Sequence, residues 1–506
     1  MTRGRSREHR LLGHHRLLRR VAGGWWWLLP CLLAVGTTAW RYDAKPLWRD
    51  EFYTLATAVR GWSVMLRGLR VTDAGLGPWY ALMHPWVRVS QDEAWLRLPG
   101  AVATVVAVVV VAACARRLLD PVAGAAAGVV CTVLPVLVDH SQEARPYPLV
   151  VASVTVTAYA LLRDRERPRT RWWVLWTGAA TAAAALHVLS GAPAVAALIA
   201  VVLLQPARAP RRRVLLGAAF PALASFAMVA VGFSQAPDRI GDDFPVLSRT
   251  LGLWHSAAGG RAALVVVAVL CAVGLTAWSR RTDRGGRRFG PVFVTAWIAA
   301  PVLANAGSAW GGQLFEPRYS TAAAPGLAVL CGAGVAVLAR GRGPRSSGAP
   351  RWRSVGAGLA VTLLVATQVP HLAQVRRQAY VVDDMPSLAR DLAADVRPGD
   401  AVVYLGNTTR PMARYYLPPG LGLQDVLLRS DPAGSTSIGG DEVPEDERLA
   451  SLGGFRRVWL VGVRLNDPWD VAFASSTTAA HLHRTMAFQE DRGQLRVELW
   501  AGPGAP

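Results

Sequence analysis

The chain has 506 residues, 52% hydrophobic and 18% charged, with a mean hydropathy of +0.26. That is too apolar for a disordered protein or an ordinary soluble enzyme, and it fits a polytopic membrane protein. A net charge of +21 would suggest nucleic-acid binding in a soluble chain, but here the excess sits in short segments between apolar runs, as membrane topology requires.

Residues 1–21 carry seven arginines ahead of an apolar run. With no small-residue cleavage site, they read as a cytoplasmic basic tail before a first anchor. A spanning helix needs about 20 mostly apolar residues. That criterion predicts eleven transmembrane helices near 22–40, 95–115, 121–139, 148–162, 173–187, 190–205, 214–232, 260–278, 289–307, 320–339 and 354–370. With the N-terminus inside, the short inner segments hold 28 basic residues. The outer segments after residue 95 hold only Arg145, Arg239, Arg249 and Arg318. One helix more or fewer would break that alternation, so the charge pattern supports the count. Within the multi-pass domain at 22–370, the long outer loop 41–94 holds Trp48, Trp62, Trp79 and Trp86 among scattered arginines, with Trp95 just after it, which suits helices at the bilayer surface. Residues 371–506 change character. Helical patterns alternate with the strand-like RRVWLVGVRL and QLRVELWAG, which predicts a small extracytoplasmic α/β domain. GGDEVPEDER reads as a solvated acidic loop, and Gly399 and Gly406 as turn residues. The five cysteines lie in apolar runs without C-x-x-C spacing and read as small buried hydrophobes.

Charges at a membrane boundary are informative, because burying one costs about 2.5–3.5 kcal/mol even on a lenient scale. The predicted topology gathers a set of them on the outer side. Asp50 and Glu51 lie in the first outer loop. His140, Gln142, Glu143, Arg145 and Tyr147 follow the third helix. His187 ends the fifth, and Glu316, Arg318 and Tyr319 precede the tenth. Two adjacent carboxylates supply a general base or bind a divalent ion. Arginines pair a phosphate bidentately and steady it as it departs. A site at the lipid boundary suits a substrate with a membrane-buried tail. The combination fits sugar transfer from a lipid phosphate, and it would also fit a transport path. His371, His481 and His483 have no acidic partner at motif spacing and read as surface residues.

Four stretches in order resemble the GT-C type membrane glycosyltransferases, in their protein-mannosyltransferase-like branch (family 39). PLWRDEFYT is similar to a W-x-D-E-x-x-T element of the first outer loop. GPWYALMHPW with WLRLPGAVAT is similar to P-x-Y-x-x-x-H and R-x-P-S-x-x-x-G elements. SQEARPYPL matches S-Q-E-A-R-x-Y-x-L, and FEPRYSTAAAPGLAVL is similar to R-Y-x-x-P-x-x-P-x-L. The chain departs from the pattern at Pro99-Gly100-Ala101, where a serine is lost, at Gly77-Pro78, and at Thr321 and Ala322. These departures bear on substrate more than on fold.

The resemblance implies an integral-membrane glycosyltransferase. It would move a sugar, mannose being the family's example, from a polyprenyl-phosphate donor to an extracytoplasmic glycan, lipid or protein acceptor with inversion. Asp50 would be the base, with Glu51 assisting or sharing a divalent metal with it. Arg145, Arg318, His187, Glu143, Tyr147 and Tyr319 would shape the donor and phosphate pocket. His84 and Arg97 would be positioning residues. The expected location is the plasma membrane, with the N-terminus cytoplasmic and the C-terminal domain outside. A transporter or flippase for a lipid-linked or polar substrate is the competing expectation; it would call for repeat halves and midplane charges.

Overall fold

All eleven apolar segments are helical over their described residues in the computed structural model. It describes residues 25–205, 208–235, 259–280, 288–310, 316–340, 351–377, 383–463, 485–492 and 495–501. The basic tail 1–21, Arg239, Arg249, His481 and His483 lie outside the described residues. The spans are α1 (Trp25–Ala39), then, after three short helices of the first loop, α5 (Glu93–Leu118). They continue with α6 (Pro121–Val133), α7 (Pro135–Ser141), α8 (Tyr147–Glu166), α9 (Thr170–Leu186), α10 (Val188–Leu204) and α11 (Arg211–Ser234). The last are α12 (Arg261–Ser279), α13 (Phe289–Trp310), α14 (Ala324–Arg340) with a 3-10 turn Pro317–Ala323 ahead of it, and α15 (Arg351–Gln374). Pro135 breaks the third span into α6 and α7, bent by 59°; proline supplies no N–H and ends the preceding helix. By length and composition, six helices among the described residues can cross a membrane, or seven with the bent pair as one span. The other segments are helices too short or too charged at an end to pass that criterion. The protein is multi-pass.

The chain divides into two compact units, Met1–Trp40 with Arg97–Val375, and Arg41–Leu96 with Arg376–Pro506. The first is helical. Its core mixes Val, Ala and Leu with the fully buried Trp176 and Trp297. In an apolar solvent, helices associate through close packing of small residues. Gly274 of α12 shows this: a Cβ there would lie 2.5 Å from the Leu330 carbonyl of α14. Cys271 and Cys331 meet at the same contact, Sγ to Sγ 3.5 Å, as free thiols. At the α8–α9 turn the buried Asp164 accepts from the Arg169 N–H (3.1 Å) and from Arg213 (3.2 Å). Loop arginines of the charge pattern thus also fasten the helix ends.

The second unit joins the long loop after the first helix to the C-terminal segment. The loop folds as α2 (Arg49–Ala58), α3 (Trp62–Val71) and α4 (Gly77–Trp86). The C-terminal segment supplies α16 (Met385–Asp395), β1 (Ala401–Leu405), α17 (Thr409–Tyr416), β2 (Gln424–Asp425), β3 (Leu428–Ser430), β4 (Asp441–Glu442), α18 (Glu445–Ser451), β5 (Arg457–Val463), β6 (Thr485–Arg492) and β7 (Leu495–Ala501). The sheet order is β2-β1-β5-β7-β6, with β1 parallel to β2 and β5, and β7 antiparallel to β5 and β6. β1, AVVYL, is buried along most of its length, as a central strand covered on both faces should be. Gly399 and Gly406 take φ +91° and +85°, so both turn assignments hold. GGDEVPEDER is not a loop. It contains β4 and the start of α18, because Arg410, 2% exposed, takes Glu442 (2.7 Å) and Asp425 (2.7 Å) as counter-ions.

Long-range bonds tie the two parts of this unit together. Arg49 forks onto Asp383 (3.1 and 3.0 Å), and its backbone N–H also donates there (3.1 Å). Phe52 packs edge-on against Tyr415 and Tyr416, ring centroids 5.5 and 5.9 Å apart. The Tyr416 hydroxyl accepts from the Leu47 N–H (2.8 Å) and donates to Glu93 (2.5 Å). Trp86 and Trp95 stack at 4.3 Å, each indole N–H donating to the other's carbonyl.

Candidate active site

In the helical unit, three chain breaks build one polar cluster. The first is the turn after α7. Ser141 donates to the Val138 carbonyl (2.7 Å), and Gln142 donates to Thr38 and Trp40 carbonyls (3.2 and 3.3 Å) at the end of α1. Within SQEARPY the first two residues therefore shape the turn. The next ones present chemistry: His140 donates from Nδ1 to Glu143 (2.8 Å), Arg145 is 7% exposed, and Tyr147 opens α8.

The second break is His187, the one residue between α9 and α10, in extended backbone at φ −162°. Its Nδ1 accepts the Ser190 N–H (3.2 Å) and lies 2.9 Å from the Ser190 hydroxyl. A backbone N–H can only donate, so the neutral ring carries its proton on Nε2. An Nδ1 that accepts leaves the ring neutral, so His187 adds no positive charge to that of Arg145 and Arg318.

The third is the 3-10 turn Pro317–Ala323. Asn305 of α13 donates to the Glu316 carbonyl (2.8 Å) and to Ser320 (2.9 Å), and the Trp297 indole donates to Ala322 (2.9 Å). Arg318 is thereby held at a fixed point, its Cζ 6.0 Å from the Tyr147 ring centre and its Nε 3.9 Å from Glu316.

Aromatic contacts connect the three breaks in a row. Ring centroids run His140 to Tyr147 at 5.1 Å, Tyr147 to His187 at 5.2 Å, and His187 to Tyr319 at 4.7 Å. Arg145, Arg318, His187, Glu143, Tyr147 and Tyr319 are thus brought together. Arg97 is buried in α5 of the same unit. Gly100 sits against the motif turn: a Cβ there would be 3.2 Å from the Glu143 carbonyl and 3.3 Å from Pro148. Where the pattern has serine, this chain packs backbone on backbone.

An apolar groove of about 670 Å³ lies between α10, α11 and α13. It starts at Val188 and Leu189, next in sequence to His187, and at Asn305, the residue that holds the Arg318 turn. It continues along α10 to Leu203. At about 1.5 Å rise per residue, that is about 22 Å of helix.

Asp50, Glu51 and His84 belong to the other unit. Asp50 and Glu51 open α2. Glu51 is fully buried and accepts the Trp48 N–H (3.3 Å), which caps the helix, while Asp50 remains part-exposed. His84 is buried and donates from Nδ1 to the Ala58 carbonyl (2.9 Å) at the end of α2, with Trp62 at 4.2 Å. Among the described residues no three His, Cys, Asp or Glu side chains converge. A divalent ion on Asp50 and Glu51 would need its other ligands from substrate and water.

Sequence spacing did not point to Ser190, Asn305 or the His371–Asp139 pair. His371 is not a solitary surface histidine. It ends α15, and its Nε2 donates to Asp139 at 3.2 Å across 232 residues, beside His140. A fold-generated contact of that span leaves no local signal.

A family model described as dolichyl-phosphate-mannose-protein mannosyltransferase matches residues 79–234. No curated protein matches significantly. Among solved structures, ArnT from Cupriavidus metallidurans bound to undecaprenyl phosphate is similar at TM-score 0.59 and 14% identity, over 94% of this chain and 98% of that one. Its apo state gives 0.59 and 13%, over 97% and 98%. The oligosaccharyltransferase AglB from Archaeoglobus fulgidus, in complex with an inhibitory peptide and a dolichol-phosphate, gives 0.52 and 11%, over 87% and 69%. The fold is that of the GT-C type, mannosyltransferase-like membrane enzymes.

Proposed function

We propose that this GT-C type chain is an integral-membrane glycosyltransferase that moves a sugar from a polyprenyl-phosphate donor to an acceptor outside the cytoplasm. The observation that carries the reading is the apolar groove that begins beside His187 and the Arg318 turn. Such a groove suits a prenyl tail whose phosphate meets Arg145 and Arg318, and similar folds have been captured with undecaprenyl phosphate and dolichol-phosphate.

The acceptor hydroxyl oxygen attacks the anomeric carbon as the bond from that carbon to the phosphate oxygen breaks. Asp50 takes the hydroxyl proton, and the lipid phosphate leaves with the electron pair. One displacement inverts the anomeric centre, so one base suffices. The leaving phosphate gains negative charge as the bond breaks. Arg145 and Arg318 neutralise it where water is scarce and such charges count most. Neutral His187 offers its Nε2 proton as a hydrogen bond rather than as a second acid. Glu143, Tyr147 and Tyr319 shape the sugar and phosphate pocket, His84 and Arg97 position the helices that carry these groups, and Glu51 caps the helix that carries Asp50. Mannose is the first sugar to try, and the C-terminal segment is assigned to the outer face.

The test is transfer in purified membranes from radiolabelled polyprenyl-phosphate mannose, then from other lipid-linked sugars. Label entering an acceptor with wild type, and not with Asp50→Asn of normal fold, is expected. Movement of the donor across the bilayer with no new glycoside from any sugar would overturn the reading in favour of a transporter.

A further inference from the structure

The far end of the helical unit carries a polar cavity. α8 begins at Tyr147, in the aromatic row, and ends at Glu166. At about 1.5 Å rise per residue the two ends are about 28 Å apart, close to one bilayer core. There the last turns of α5 and α8 and the first turn of α1 enclose about 490 Å³, walled by Trp26, Ala113 and Tyr159 and by a cluster of charges. That volume is in the range of small-molecule pockets.

The charges do not balance. Glu166 is occupied by Arg117, which donates Nε to Oε1 at 3.0 Å and Nη2 to Oε2. Arg116 and Arg163 have rings as partners instead. The Arg116 Cζ stands 4.6 Å from the Trp26 ring centre, and that of Arg163 4.9 Å from Trp172. Neither meets a carboxylate among the described residues. Cation–π contact orients a guanidinium while leaving its N–H fork available. Two such forks on a cavity with aromatic and alanine walls, at the end of spanning helices, suit a phosphate that arrives on an apolar body. Basic pockets between spanning helices bind lipid headgroups on this principle.

We infer that this cavity binds the phosphate of an anionic phospholipid, in the leaflet opposite the candidate active site. The proposal does not depend on the glycosyltransferase reading. It assigns Arg116 and Arg163 as the phosphate ligands and Trp26 as the wall beside the lipid backbone.

The full-length protein in detergent micelles is titrated with fluorescent phosphatidylglycerol, with phosphatidylcholine as the zwitterionic control. Removing one surface cation weakens binding roughly five-fold. Arg116→Gln and Arg163→Gln are each expected to do so, and the double variant to lose roughly twenty-five-fold. Arg212→Gln, outside the cavity, should bind as wild type. The pair Arg116→Lys with Arg163→Lys keeps charge without the fork and should fall between, which guards against a double variant that misfolds. Equal phosphatidylglycerol binding by wild type and the single Gln variants, or equal affinity for the two lipids, would overturn the site. Displacement of the lipid by millimolar glycerol phosphate or inorganic phosphate would overturn its assignment to a membrane lipid in favour of a soluble phosphate.

Discussion

Replacing Arg318 by alanine tests the proposed chemistry most directly. The donor phosphodiester bears one negative charge, and the departing phosphate gains another as its bond to the sugar breaks. An arginine aimed at that phosphate therefore binds the transition state more tightly than the ground state, and its loss should fall mainly on kcat. Removing one preorganised donor of developing charge typically costs about 100- to 1,000-fold in kcat. The Arg318 side chain is 25% exposed, whereas Arg145 is 7% exposed. Solvent screens the more exposed cation more strongly. Arg318→Ala should therefore lie near the lower bound, about 100-fold, and Arg145→Ala nearer the upper, about 1,000-fold. Arg318→Lys keeps the charge without the fork and should retain about a tenth of wild-type kcat. The assay is steady-state transfer at saturating donor with the acceptor varied, repeated at three donor concentrations to separate kcat from KM. Inhibition by polyprenyl phosphate, the more highly charged product, should weaken by a larger factor than donor binding does. A wild-type kcat in Arg318→Ala, or a loss confined to KM, would refute phosphate neutralisation by this residue.

Other predictions concern the acceptor base, the groove and the second unit. Asp50→Asn should cut transfer about 100- to 10,000-fold, the range for a lost general base. Glu51→Ala should chiefly lower thermal stability, by about 1 kcal/mol for its cap bond; equal catalytic losses in the two variants would refute that division. Ala222→Trp narrows the groove and should raise KM for a long-chain donor about five-fold or more, since overpacking costs about 1 kcal/mol at least, while a two-isoprene donor is unaffected. Asp383→Ala strands the partly buried Arg49 guanidinium and should destabilise the second unit by about 3 kcal/mol, read from the melting of its aromatic signals.

The spanning helices and the clustering of polar side chains around SQEARPY are legible because their signals are local. A run of about twenty apolar residues is a helix wherever hydrocarbon surrounds it. SQEARPY carries its turn-formers and its functional groups in seven consecutive positions. What was hidden depends on distance along the chain. Asn305 reads as one polar residue in an apolar helix until Glu316 and Ser320 fold onto it. His371 finds Asp139 across 232 residues, and Glu442 leaves an apparent acidic loop for a strand because Arg410 needs a counter-ion. Tyr415 and Tyr416 gave no sign that they pack on Phe52, since an aromatic pair after a helical stretch is ordinary composition.

The makeup of the second unit has a consequence for biosynthesis. Its two parts are separated by everything between Leu96 and Arg376. At roughly 5–20 residues per second, α2 to α4 wait about 14 to 56 s after emerging before the ribosome delivers their partners. During that interval the aromatic face of Phe52 and the Arg49 fork have no native counterpart. The unit closes last, so a truncated or stalled chain would display an unfinished first loop, a mark that membrane chaperones and proteases can read before the whole protein has been made.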